Sequence, residues 1–224
     1  MTKIINVLAT GAYKAALERI CAASGFACQV AYDSAAAVGR LVEAGEAADV
    51  VISAAPVMQA LAEKGFLCAD SLQPAGENAV CVAYPAGSAP PQVATKEALA
   101  ATLRGADRIS LSDPAFGGGS SGFFMQAVEV CGIADEIRPN LVFTKGGQGA
   151  APVAAGEADL GIAQTSEIAM VSGVAAVRLL PDDPAGLVTY LAGVSAGASD
   201  EAVALLAFMR SAASVAILVE CGLA

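Results

Sequence analysis

The feature that most constrains this chain is the alternation of short apolar runs with segments of helical period through its first 65 residues. Residues 4–9 form a run short enough for a strand buried on both faces. Thr10-Gly11 follows, and Ala16, Leu17, Ile20 and Cys21 then recur at helical spacing until Gly25 stops them. A second strand over 26–32 leads through Asp33-Ser34 into a helix carrying Val38, Leu41 and Val42, which ends at Gly45. A third strand over 49–53 precedes Pro56, at a plausible first helical position, and a helix ending near Gly65. The order β-α-β-α-β-α with short connections predicts a parallel sheet with right-handed crossovers.

From Val80 the texture changes. The pattern predicts a strand over 80–84, a Pro/Gly-rich break over 85–92 and a helix from Thr95. A strand over 108–112, a helix from Ser120 and a strand over 141–144 follow. The set closes with a helix around 148–155 and a strand over 158–163. Residues 187–194 form another apolar strand, followed by helices from Asp200 and Ser214. Two βα sets with the last helices left over predict a chain that crosses to a second lobe and returns. The lobes are residues 1–82 with 190–224, and residues 83–189. A single doubly wound sheet fits the same periodicity.

Composition removes several classes of function. With 56% hydrophobic and 15% charged residues among 224, the chain is not disordered. Twelve basic against 22 acidic residues leave a net charge of −10, the wrong field for nucleic acid or an anionic membrane. The apolar tail from Ala212 is too short to span a bilayer and carries Glu220, so no membrane insertion is expected. There are six cysteines and no histidine, and no pair has C-x-x-C spacing, so neither a metal site nor a cofactor is expected. The cysteines read as reduced thiols, and no secretory signal follows Lys3. As written the chain reads as cytoplasmic, or as periplasmic where a signal has been trimmed ahead of Met1.

Ligands of parallel α/β sheets bind beyond the carboxyl ends of the strands. Thr10 and Gly11 end the first strand, Ser34 the second, and Gly119, Ser120 and Ser121 close the run that starts at Phe116. Each point offers a hydroxyl or free backbone N–H groups at the positive end of a helix, which suits an anion even in an acidic protein. The contiguous glycines match neither the P-loop nor the dinucleotide fingerprint. Lys145 and Gln148, and the segment Gln164-Thr165-Ser166-Glu167, also follow strands.

Three segments carry a family likeness. Ala48-Asp49-Val50-Val51-Ile52-Ser53-Ala54, Ser112-Asp113-Pro114 before a Gly/Ser loop, and Gly156-Glu157-Ala158-Asp159-Leu160-Gly161-Ile162 resemble the molybdate-type solute-binding proteins, in the same order along the chain. The resemblance implies a two-lobed α/β fold of the type 2 periplasmic-binding-protein kind, a parallel-rich sheet in each lobe and two hinge crossings. It implies capture of an oxyanion or organic acid in the interlobe cleft by Thr10, Ser34, the amides of residues 119–121, Gln148 and Gln164. Family members usually carry Ser at the first of these positions and Tyr near the last. An ABC transporter is the implied partner of a secreted member. A side branch resembling aconitate isomerases, similar over the Ser-Asp-Pro loop and the Gln-x-Ser-Glu turn, implies proton transfer on an unsaturated di- or tricarboxylate. Without histidine its base would come from Tyr13, Asp113, Lys145 or Glu167.

Overall fold

The computed structural model describes residues 3–114, 119–145 and 148–223. Its elements in chain order begin with β1 (Ile5–Thr10), α1 (Lys14–Ser24), β2 (Cys28–Asp33), α2 (Ala35–Glu43), β3 (Val50–Ala54) and α3 (Ala55–Glu63). The chain continues with β4 (Gln73–Pro85), α4 (Lys96–Arg104), β5 (Ile109–Ser112), α5 (Gly119–Val130), α6 (Ala134–Ile137), β6 (Leu141–Thr144) and α7 (Ala151–Ala154). It ends with β7 (Leu160–Gln164), α8 (Thr165–Ile168), β8 (Val174–Arg178), β9 (Leu187–Val194), α9 (Asp200–Phe208) and α10 (Ala212–Glu220). Two compact units result, Met1–Glu77 with Val188–Ala224, and Asn78–Leu187. The chain leaves the first unit inside β4 and re-enters it at the start of β9.

In the first unit the strand order is β2-β1-β3-β9, with β1 parallel to both neighbours and β9 antiparallel to β3. The period of two sorts the side chains of β1 by face. Ile5, Val7 and Ala9 meet Leu17 and Ile20 of α1, Leu205 of α9 and Leu218 of α10. Leu8, with Val51 of β3, meets Val38 of α2 and Leu61 of α3 on the other face. A strand covered on both sides has no solvent face, which is why residues 4–9 read as a continuous apolar run. Gly25 stops α1 in the left-handed region at φ 73°, a conformation that costs glycine nothing.

In the second unit the order is β4-β7-β5-β6, with β8 on the free side of β4. Strands β5, β6 and β7 are parallel, whereas β4 is antiparallel to both β7 and β8. One face is thick: Val80, Val82, Ile109, Leu111 and Ile162 pack on Leu99, Leu103, Phe124 and Val128. The other is thin and made largely of alanine, with Ala79, Cys81, Ala83, Ala150 and Ala163 against Ile168.

Three departures from the sequence expectations fall in or beside this second unit. Strand β4 starts at Gln73 rather than at Val80. The helix expected around 148–155 is the single turn α7. There the backbone of Gly149 lies so close to β7 that a Cβ on it would strike the Ile162 carbonyl, and one on Gly161 would strike the Gly149 carbonyl. Strand β8 was not expected at all. Its sequence, Val174-Ala175-Ala176-Val177-Arg178, has no alternation to mark it, and its pairing with β4 is long-range.

Candidate functional site

Each unit presents one edge where parallel strands end. In the first unit β1 and β2 are in register, with Thr10 opposite Asp33. Thr10 is buried, and its side chain does not cap the first helix as expected. A single 3-10 turn, Gly11–Tyr13, intervenes, and α1 starts at Lys14. The cause is Tyr13. Its ring is drawn wholly into the core and its hydroxyl donates to the Ala75 carbonyl at 2.6 Å, and the turn that carries it there separates Thr10 from α1. Gly11 at the same edge is exposed, and a Cβ on it would meet the Asp33 carbonyl oxygen at 4.0 Å, an ordinary contact.

Ser34 does what the sequence suggests. Its Oγ accepts from the Ala37 N–H at 3.3 Å and caps α2. The cap uses a lone pair, so the hydroxyl proton of this exposed serine is not needed by it. The first turn of α2 holds no acidic residue, and its leading N–H groups have no partner within the helix. One opposing charge is present: the Asp33 carboxylate accepts from the Ser34 N–H at 2.7 Å.

In the second unit β5, β6 and β7 end at Ser112, Thr144 and Gln164 along one edge. Ser120 and Ser121 begin α5 but are buried, and Ser121 donates its hydroxyl proton to the Ser112 carbonyl at 2.5 Å. That proton ties the helix to its strand, so the Ser121 hydroxyl is not available to donate to a ligand. Phe116, Gly117 and Gly118 of the expected loop, and Gly146 and Gly147 after Lys145, lie outside the described residues. The Asp113 N–H donates to the Thr144 carbonyl at 3.0 Å, and Lys145 and Gln148 are exposed just beyond.

Gln164 sits in a reciprocal cap. Its side chain accepts from the Glu167 N–H, and a Glu167 oxygen accepts from the Gln164 N–H at 3.0 Å. Burial raises the Glu167 carboxyl above the ordinary range, and the Gln164 N–H offsets only part of that. Behind this cap lies Asn78, which the sequence reading missed. It is wholly buried and its Nδ2 donates to Gln164 Oε1 (3.3 Å) and Ser166 Oγ (2.8 Å). Its Oδ1 accepts from Thr165 Oγ1 (2.8 Å) and the Ser166 N–H (3.1 Å). The only trace in the sequence is an Asn that follows Glu77 at the head of an apolar run.

The four candidate bases therefore separate. Asp113, Lys145 and Glu167 belong to the strand-end edge of the second unit. Tyr13 is withdrawn as a base, because it belongs to the core of the first unit and burial raises its hydroxyl far above its ordinary value. Glu167 is committed to the cap. Asp113 and Lys145 remain.

Comparison with known proteins extends the likeness over the whole chain. An aconitate isomerase from a Pseudomonas species is 27% identical over 203 residues, covering 85% of this chain and 72% of that protein. The substrate-binding domain of a putative molybdenum ABC transporter from Clostridium difficile superposes with a TM-score of 0.75 at 21% identity, covering 98% of this chain and 97% of the other. The periplasmic molybdate-binding protein of Azotobacter vinelandii gives a TM-score of 0.68 at 19% identity, with 98% of both chains covered. At these identities the structures establish the fold, an α/β periplasmic-binding-protein-like one. The family model for bacterial extracellular solute-binding proteins matches residues 5–224, and the chain belongs to that family.

Proposed function

We propose that this protein captures a small oxyanion or organic acid, held by hydroxyls and backbone N–H groups at helix N-termini that follow strand ends. The observation that carries the reading is Ser34. An exposed hydroxyl with its proton uncommitted by the cap stands at the N-terminus of a regular helix, whose first N–H groups have no partner within the helix. Such a terminus attracts negative charge without a basic residue. The N-terminal end of α5 supplies backbone N–H groups in the same way, and Gln148 and Gln164 supply polar side chains. Thr10 and Gly11 complete the first unit's edge. An ABC transporter is the partner if the protein is exported, and fractionation of cells expressing the full gene tests that.

A second reading, isomerisation of an unsaturated di- or tricarboxylate, draws support from the 27% identity to an aconitate isomerase and from Asp113 and Lys145 at one edge. An isomerase needs a base within hydrogen-bond reach of an acidic C–H, and donors for the charge that builds on the carboxylate as the proton leaves. A capture protein needs the donors alone.

Two measurements divide the readings. Calorimetry with molybdate, tungstate, sulfate, citrate and the two aconitates should give one saturable ligand, and silence from all of them defeats capture of this class. NMR of cis- or trans-aconitate with the protein in deuterated water follows isomer ratio and solvent label together. Conversion above the protein-free rate, lost in Asp113→Asn or Lys145→Ala, establishes the isomerase. Binding without conversion leaves capture standing.

A further inference from the structure

Of the twelve basic residues in the chain, eleven are exposed. Arg178 alone is half-buried, and it closes β8. Both β7 and β8 run antiparallel to β4, so they are parallel to each other and end on the same edge of the second unit. Cys81 of β4 pairs with Ala163 on one side and with Arg178 on the other, which puts Arg178 one register step short of Gln164. Two strand spacings, about 10 Å, separate the backbones of Arg178 and Ala163. Arg178 therefore belongs to the strand-end edge that carries Gln164. The sequence reading passed over it because β8 itself was not expected.

Residues directly opposed in antiparallel strands share a face. Register thus places Cys81 beside Arg178, Ala79 and Ala83 diagonally from it, Ala176 two residues back and Ala163 across β4. Every one of these neighbours is small and apolar. The Nε of Arg178 is buried and has no hydrogen-bond partner, and among the described residues the guanidinium forms no ion pair. Arg19, Arg104 and Arg138, by contrast, each hold a carboxylate. The charge of Arg178 reaches Cys81, where it opposes the burial that pushes that thiol up to about 11. A cation drawn part-way into an apolar face with a buried N–H unmade costs stability. One other buried side-chain polar atom lacks a partner among the described residues, the Tyr32 hydroxyl, and that group is neutral.

We propose that Arg178 receives a carboxylate of an organic acid whose carbon skeleton lies on this alanine-lined face. The inference rests on the capture reading above and narrows its ligand. A planar carboxylate matches the guanidinium fork with two parallel hydrogen bonds. A tetrahedral inorganic oxyanion can meet the fork too, but its remaining oxygens would face methyl groups and go unpaired. An organic acid turns its oxygens to Arg178 and its hydrocarbon to the alanines, so both contacts are favourable.

Calorimetry on the wild type, Arg178→Lys and Arg178→Met tests this, with citrate, the two aconitates, sulfate and molybdate as probes. The wild type should bind at least one of the carboxylates more tightly than sulfate or molybdate. Arg178→Met should weaken that binding about 100-fold, and Arg178→Lys, which keeps the charge and loses the fork, about tenfold. Urea unfolding without any probe supplies a second readout. Methionine keeps an apolar stem and removes the unpaired donors, so the midpoint of that variant should equal or exceed the wild type's. A clear fall would make Arg178 a structural residue and overturn the inference. A carboxylate bound equally by all three proteins, or sulfate or molybdate bound more tightly, would overturn it as well, and either result leaves capture standing. Silence from every probe is a different outcome: it defeats the capture reading and takes the inference with it.

Discussion

At the edge of the first unit, Ser34 is exposed and gives its cap only a lone pair, keeping its proton. At the edge of the second, Ser121 is buried and donates its proton to the Ser112 carbonyl. The two serines occupy like positions, after a strand and at the start of a helix, and a sequence reading gives them the same task. The structure divides that task. The first edge rests on regular helices of nine residues, α2 and α3, and has a hydroxyl to offer. The second carries one long helix, α5, beside two single-turn helices and a buried network around Asn78, and its described exposed side chains include Lys145 and Gln148.

The sharpest way to break this comparison is to remove Asn78. Its amide serves four partners in the second unit and none at the first edge. Asn78→Ala leaves a hydroxyl and an N–H of the α8 turn without their acceptor, and should cost about 3 kcal/mol in urea unfolding. Asn78→Asp keeps the acceptor and lets the Ser166 hydroxyl turn to donate, but it sets a buried carboxylate against Gln164 Oε1 and should also be destabilising. A loss under about 1 kcal/mol in both variants would mean that water replaces the amide, and that the second edge is less tightly built than described.

The next prediction sharpens the contrast between the serines once a ligand is in hand. Ser34→Ala should weaken binding by about 1.5–3 kcal/mol, the scale of a hydrogen bond to a charged group, and cost about 1 kcal/mol of stability as a lost cap. Ser121→Ala should leave affinity unchanged and cost about 1 kcal/mol of stability, because the bond it loses is internal. Calorimetry and urea unfolding on both variants decide the point. Equal losses of affinity would erase the distinction.

The same contrast explains what could be read from the sequence. The first unit was legible element by element, since strands buried on both faces, full helices and Gly stops are all local signals, and Ser34 announced itself as a cap. Thr10 misled because the pull of Tyr13 into the core, 62 residues from its partner Ala75, is not local. In the second unit the fold class was legible while the details were not. The helix around 148–155 is cut to one turn by the contact of Gly149 with β7, and β8 exists only because β4 is there to pair with it. Asn78 finds its partners 86 to 88 residues away, so no spacing rule would have found it.

The smallest effect concerns Glu167, and it tests whether the second edge is as buried as the network implies. Its carboxyl is raised above the ordinary range by burial, against the opposing pull of the Gln164 N–H. A group whose folded value exceeds its unfolded value binds more protons in the native state. Its contribution is therefore fully present below the ordinary carboxylate range, and is lost as pH rises through the raised value. Glu167→Gln removes the titration yet keeps a side chain that can accept from the Gln164 N–H, since glutamine serves at this position of a capping box. Other carboxylates titrate alike in both proteins and cancel in the difference. The urea midpoint of the variant, followed from acid to neutral pH, should fall less steeply than that of the wild type across the upper carboxylate range. At neutral pH the variant should equal or exceed the wild type. Parallel curves would mean that water reaches Glu167 freely, and the second edge would then resemble the first.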